Sequence, residues 1–434
     1  MQLNPPEPAP KDQWTLIRRA RQLITLRGPS GPRRGSALNQ LSIVKDGSLL
    51  LHNGVVHEAG SAQRVDNLKQ ARNAREVDVG GRIVMPAFVD PDAVLVYSPS
   101  GRHSGSLPTQ ATRLCVVSKH RLAQTGAAAA ADWVRCGVLA AGAHTGHASD
   151  LRETLRILRI HQTLQGKPLR IRSIYSPDIS APNEAGKAEP MQTLMARALP
   201  AIRTRKLAGI VEFTLEGRTF TEESRAAHRA EIPARGQNSE VIRPITIAAA
   251  EAGYHIRIRM YDTPDPERLE LTFGAAAVAM IAPPAARGDS LGALHRLAQL
   301  GCVHIFQATA ALRQDWDGAA GVRAEIDEGI PVALASGFRP GVVSSLNPQF
   351  LLHLAVERFG MTPAEAIAAF TYNAACSLRM SHVTGSLEHG KAADLLVMDV
   401  ADYHELIERV GHNDVLLAMR DGKPVYRRCP LMLD

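Results

Sequence analysis

The chain is poor in the residues that announce most chemistries. Aromatics make up 4% of its 434 residues, too few to furnish stacking platforms for nucleic-acid bases. Its five cysteines stand far apart, at positions 115, 136, 302, 376 and 429, with no Cys-x-x-Cys pair among them. An odd, scattered set excludes a disulfide framework and a zinc ribbon, so buried packing is the expected role. No Walker A loop and no His-Glu-x-x-His pair occurs. No apolar run approaches the roughly 18 residues that span a bilayer, so no membrane is expected. The segment from Met1 to Pro10 lacks a basic-then-apolar signal pattern. Residues 1–12 therefore read as an extended lead-in, and the expected compartment is the cytoplasm.

What is present is ordinary for a globular chain: 45% hydrophobic residues, 21% charged residues and a net charge of +7. The basic residues cluster only locally, at Arg18, Arg19 and Arg21, at Arg33 and Arg34, and at Arg427 and Arg428. Without a recognition module these read as solvated surface, and no nucleic-acid partner is expected. A basic scaffold for an acidic partner is the weaker alternative.

Both ends of the chain are rich in strand signals. Thr15-Leu-Ile and Leu41-Ser-Ile-Val are candidate strands, and Gly47 to Gly60 reads as a hairpin turning at Asn53-Gly54. Gly385 to Asp399 and Val415 to Arg427 are similar in style. Residues 13–82 and 383–434 are therefore expected to form one small composite β-sandwich domain. The middle alternates. Eight apolar runs lie near 84–97, 137–144, 169–176, 208–215, 254–261, 275–282, 301–307 and 330–336. Helical patterns separate many of them, at Leu151 to Leu164, Met191 to Lys206, Ser290 to Leu300 and Ala319 to Glu328. Eight such units predict an α/β fold, a (β/α)8 TIM-like barrel over residues 83–382. Thr362-Pro363-Ala-Glu365 predicts a late helix opened by a capping box.

Several motifs then occur in order: Pro86-Ala-Phe-Val-Asp90 running on to Asp92-Ala-Val94; Gly137 to Ala148; Phe220-Thr-Glu-Glu-Ser-Arg225; Gly329 to Gly341; Thr371-Tyr-Asn-Ala-Ala; and Gly385 to Leu395. Together they resemble the imidazolonepropionase branch of the amidohydrolase superfamily, whose members open the imidazolone ring in histidine degradation. The resemblance runs from about residue 14 to about residue 428. It implies a zinc or iron ion at the C-terminal mouth of the barrel, lowering the pKa of a bound water from about 15.7 to about 7. It also implies a homodimer.

The same resemblance places the metal-site positions at residues that have changed. The expected His-x-His falls on Asp92 and Val94, the fifth-strand histidine on Arg259, the sixth-strand catalytic histidine on Met280 and the eighth-strand aspartate on Gly337. Valine and glycine offer no donor, and a guanidinium repels a divalent ion. No metal or other cofactor is therefore expected. The resemblance also marks Arg102, His144, His147 and Asp178 as residues near the ancestral substrate, with Asp262 following Arg259 at the end of strand five. If Asp92, Arg102, His144, His147, Asp178, Arg259 and Asp262 share one cavity, they form a polar pocket for a small anionic ligand. The alternative is that Arg259 pairs with Asp92 or Asp262 and fills the vacated hole.

Two functions follow as expectations. One is a degenerate amidohydrolase acting as a binding or partner subunit, as a homodimer or beside an active paralogue. The other is a hydrolase on a C–N bond of a cyclic amide or related small molecule, with a rebuilt site that need not hold a metal. Other reactive residues read as structural: Cys302 and His304 share one side of a predicted strand among apolar neighbours, and His295 and His353 lie within helical patterns.

Overall fold

The computed structural model describes residues 12–97, 114, 116–146, 150–177, 191–214, 239–260, 277–284, 289–312, 319–339, 345 and 347–428. Two eight-stranded sheets organise it. The first gathers both ends of the chain: β1 (Trp14–Ile24), β2 (Ile43–His52), β3 (Val55–Ser61), β4 (Arg75–Asp78), β5 (Ile83–Pro86), β14 (Leu395–Met398), β15 (Val415–Arg420) and β16 (Lys423–Arg427). Seven of these eight strands send side chains into one apolar cluster, from Ile17 and Leu49 to Leu395 and Leu417. The sheet therefore curls over its own inner face, sandwich-fashion.

The β2–β3 turn follows from its sequence. Asn53 (φ 50°) and Gly54 (φ 83°) both take left-handed backbone, as a two-residue type I′ turn requires. A Cβ on Gly54 would stand 2.3 Å from the Asp421 carbonyl oxygen, so the turn also docks against the C-terminal hairpin.

The second sheet is the barrel. Its strands follow chain order: β6 (Phe88–Ala93), β7 (Val138–His144), β8 (Arg170–Tyr175), β9 (Ile210–Thr214), β10 (His255–Arg259), β11 (Ala277–Ile281), β12 (Val303–Gln307) and β13 (Val332–Ala335). All seven neighbouring pairs are parallel. Strands such as β7 and β13 are buried along their whole length because both faces are covered, whereas β8 and β10 alternate arginine with apolar residues. Helices Leu151–Leu164, Met191–Thr204, Asp289–Gln299 and Ala319–Asp327 occupy the predicted segments to within about two residues. Asp150 caps the first by accepting from Glu153 N at 2.8 Å, and the Thr362–Glu365 capping box is formed.

The seam between β13 and β6 closes the barrel by few bonds. Val94 N donates to Phe338 O at 3.0 Å, and Ala93 bridges Phe338 in parallel. Ser336 supplies the side-chain staple: its backbone N donates to Asp90 Oδ1 at 3.1 Å and its hydroxyl donates to Oδ2.

One expected boundary moves. The run 84–97 reads as a single barrel strand, but Ile83–Pro86 pairs with β14 and β1 in the terminal sheet. The barrel begins only at Phe88. The apolar run is continuous through both strands, so nothing in its composition marks the change of sheet.

The pairing of β6 with β7 is irregular between Asp90 and Ala93, which align with Ala141 and Ala143. Pro91 and Asp92 thus face the single residue Gly142, as in a β-bulge. A Cβ on Gly142 would lie 2.4 Å from Pro91 O and 2.7 Å from Leu378 Cδ2. Gly142→Ala is expected to destabilise the fold by about 1–3 kcal/mol through this overlap. Urea unfolding checks it, and an unchanged midpoint would mean that the strands do not approach so closely.

Candidate functional site

The bulge aims Asp92 into the barrel, where it meets side chains from three other strands. Its Oδ1 accepts from Arg259 Nη2 at 2.6 Å and from Arg257 Nη2 at 3.1 Å. Its Oδ2 accepts from Gln307 Nε2 at 2.8 Å. Across the barrel, Glu212 Oε2 accepts from Arg257 Nε at 2.5 Å and from Arg259 Nη2 at 3.1 Å. Glu212 Oε1 accepts from Arg259 Nε at 2.9 Å. Arg257 also donates from Nη1 to Pro91 O at 2.7 Å, binding the bulge directly. Arg257 and Arg259 lie two residues apart on β10, so both face inward.

The result is a cage of two carboxylates and two guanidiniums, all four side chains buried. Burial alone would raise the Asp92 pKa, but Arg259 and Arg257 outweigh it and hold the carboxyl well below its ordinary range. Burial likewise opposes ionisation of Glu212, and the same two guanidiniums bring it down to about 2. Within the cage the charges balance and the carboxylate oxygens already accept hydrogen bonds.

His144 ends β7 beside the cage. Its Nδ1 accepts from Gly146 N at 3.2 Å, which leaves the ring proton on Nε2. That Nε2 is 3.9 Å from Asp92 Oδ1 and has no hydrogen-bond partner among the described residues. Burial, only partly offset by Asp92, lowers the His144 pKa to about 3. The ring is neutral at neutral pH and a poor base.

The position of Gly337 matters in a second way. Its φ of 63° is left-handed, and a Cβ there would stand 3.0 Å from Gln307 Cδ and 3.1 Å from Nε2. The Gln307 amide crosses the space that a side chain at 337 would enter. The residues at 92, 259, 307 and 337 therefore form one interlocking set.

These residues do not fit a divalent metal ion. An ion held by Asp92 would face two guanidiniums already bonded to that carboxylate. Among the described residues, no three His, Cys, Asp or Glu side chains come together to hold a metal.

The structure unites Asp92, Arg259 and His144, and it forms the Arg259–Asp92 pair foreseen as the alternative to an open pocket. Val94 is buried, and its backbone joins the barrel seam rather than the cage. Met280 packs in the outer apolar layer with Ile258, Met260 and Leu294. In the β10–β11 register it aligns with Ile258, whereas Ile281 aligns with Arg259. The outward parity of Met280 does not suit the sixth-strand catalytic-histidine position assigned to it, which would face the barrel interior. Arg102, His147, Asp178 and Asp262 lie outside the described residues.

Sequence reasoning did not single out Arg257, Glu212 or Gln307. The available signals were the Arg-x-Arg spacing on β10 and a carboxylate inside the apolar run Ile210-Val-Glu-Phe. Of the residues read as structural, His304 Nδ1 donates to Glu325 Oε2 at 2.6 Å, and His295 and His353 donate to the carbonyls of Glu328 and Ile407. Cys302 is buried, which raises its pKa to about 12 and keeps it a thiol.

The family model that matches this chain is the amidohydrolase family, over residues 192–425. Among curated proteins, the imidazolonepropionase of Brevibacillus brevis is 28% identical over 444 residues, covering 95% of this chain and 97% of that protein. The imidazolonepropionase of Solibacter usitatus is 29% identical over 432 residues, with 94% and 97% covered. Among solved structures, an N-isopropylammelide isopropylaminohydrolase from Burkholderia multivorans superposes with a TM-score of 0.68 at 17% identity, covering 97% of this chain and 100% of that one.

Two outcomes follow from the cage and its neighbour. Arg259→Met strips one cation from two buried carboxylates and is expected to cost about 3–5 kcal/mol in chemical unfolding. A loss below about 1 kcal/mol, as for an exposed pair, would sink the cage as a buried network. Asp90 gives a pH signature. Burial raises its pKa from 3.8 to about 7, against hydrogen bonds from Ser336 and Asp92. Between those values the folded state holds a proton that the unfolded state has released, so this residue's contribution to stability falls as pH rises. Asp90→Asn does not titrate, and its stability relative to the parent is expected to increase from about pH 4 to about pH 7. Unfolding curves at a series of pH values test this; a constant difference would contradict it.

Proposed function

The chain belongs to the amidohydrolase family, and we propose that it is an imidazolonepropionase-like member that has given up metal-dependent hydrolysis and serves as a binding or partner subunit. The observation that carries this reading is the Asp92–Arg259–Glu212–Arg257 cage. A hydrolytic metal needs several N or O donors free to converge on it, plus an open position for water. Here the Asp92 carboxylate is committed to Arg257, Arg259 and Gln307. The Burkholderia structure supports only the fold, since its identity is 17%. The substrate suggested by the curated relatives enters as the first compound to test.

The second reading is a hydrolase on a C–N bond of a cyclic amide, working without a metal. One observation favours it: among the described residues, His144 Nε2 is unpartnered beside Asp92. Against it stands the lowering of the His144 pKa to about 3, far from the range in which an imidazole exchanges protons near neutrality. A partner subunit would use the barrel as a shape and leave the reaction to another chain, as a homodimer or beside an active paralogue.

Elemental analysis of purified protein, before and after incubation with zinc or iron, tests the first reading. Metal well below one equivalent per chain is expected, with no hydrolysis of an imidazolone propionate in either state. One tightly held metal per chain together with metal-dependent turnover would refute the proposal. Metal-independent turnover abolished by His144→Gln would establish the second reading instead.

A further inference from the structure

The opposite end of the barrel carries a different kind of site. A cavity of about 490 Å³ opens where β8, β9 and β10 begin, between the ends of the Leu151–Leu164 and Met191–Thr204 helices. Its lining includes Arg172, Arg203, Lys206, His161, Ser173 and Gln162. Among the described residues, no carboxylate forms an ion pair with Arg172, Arg203 or Lys206. The contrast with Arg170 is direct. Two residues earlier on the same strand, Arg170 pairs with Asp394 at 3.2 Å and with Asp421 at 2.7 Å.

Arg172 is half-buried, whereas Arg203 and Lys206 are exposed at the cavity rim. The Arg172 guanidinium lies over Gly209, where an added Cβ would stand 3.1 Å from Nη2. Arg203 lies over Gly253, where a Cβ would stand 2.8 Å from Nη1. Arg172 Nε and both ring nitrogens of His161 are buried without hydrogen-bond partners among the described residues. Burial and the nearby charge of Arg379 lower the Arg172 pKa, and Arg379 and Arg172 add to burial in lowering that of His255. Like charges gathered around a cavity raise the free energy of the empty protein, and an anion between them removes that cost.

We propose that this cavity binds a phosphoryl group carried on a small molecule. Two guanidiniums and an ammonium around one cavity match a dianion with several acceptor oxygens. The neutral donors Ser173 and Gln162 stand beside them. A cavity of about 490 Å³ exceeds what a single inorganic ion fills and leaves room for the organic part. The site is separate from the mouth cage and does not rest on the function proposed for it.

Calorimetric titration of the full chain tests the assignment, with inorganic phosphate, a nucleoside monophosphate and citrate as probes and matched sodium chloride as the reference. Saturable binding of both phosphate probes is expected, the monophosphate binding the more tightly. Arg172→Met is expected to weaken that binding about tenfold or more. Its unliganded melting temperature is expected to be no lower than the parent's, because repulsion with Arg379 is relieved. Lys206→Asn, which suits the left-handed backbone at that position (φ 51°), is expected to weaken binding without altering the fold. Absence of saturable binding, equal binding of citrate, or unchanged affinity in both variants would overturn the proposal. Tighter binding of inorganic phosphate than of the monophosphate would overturn the assignment to a carried group.

Discussion

The interior of this barrel depends on a balance of four buried charges. Asp92 and Glu212 face each other across the mouth, and Arg257 and Arg259 sit between them. None of the four is tolerable alone, because an unpaired ion in a dry interior loses its hydration with nothing to replace it. The local irregularities answer to this set. The β6 bulge turns Asp92 inward and offers the Pro91 carbonyl to Arg257. Gly142 makes room for the bulge, and Gly337 makes room for the Gln307 amide that completes the bonding of Asp92.

The cage inverts the design of a hydrolytic metal centre. Such a centre keeps donors unsatisfied by protein so that an ion can claim them, and it keeps one coordination position open. The cage satisfies its acceptors from within and brings positive charge to the place where an ion would stand. Apolar residues of similar volume would fill the same space at comparable or lower free energy. The distinguishing property of the cage is therefore polarity with fixed geometry. His144 follows the same logic: beside a compensated cluster it gains little from protonation, and burial keeps it neutral.

Much of the fold was legible because local chemistry specifies it. The Asn53-Gly54 turn, the Thr362–Glu365 capping box and the eight apolar runs each have one dominant physical reading. The passage of Ile83–Pro86 into the terminal sheet was not legible, since an apolar strand suits either sheet equally. At the site, Asp92 and Arg259 stood out by resemblance, while Arg257, Glu212 and Gln307 had no counterpart to mark them. Met280 shows the sensitivity of such readings to strand parity. A shift of one residue along β11 exchanges the barrel interior, where Ile281 aligns with Arg259, for the helix-packed exterior.

The two ends of the barrel differ in how positive charge is disposed, and the difference separates stability from binding. At the mouth, the guanidiniums of Arg257 and Arg259 are compensated by protein carboxylates, so adding an anion would compete with bonds already made. At the floor, Arg170 is compensated by Asp394 and Asp421, while Arg172 beside it forms no ion pair among the described residues and lies near the charge of Arg379. Compensated clusters lock a fold in one arrangement. Uncompensated ones hold electrostatic free energy that a ligand can release, and that release is the physical basis of affinity. In most TIM barrels the C-terminal mouth carries the reactive groups and the N-terminal face carries stability. In this chain the mouth holds a compensated charge cluster of the kind found in structural cores, and the floor gathers the cations on which the proposed phosphoryl site rests.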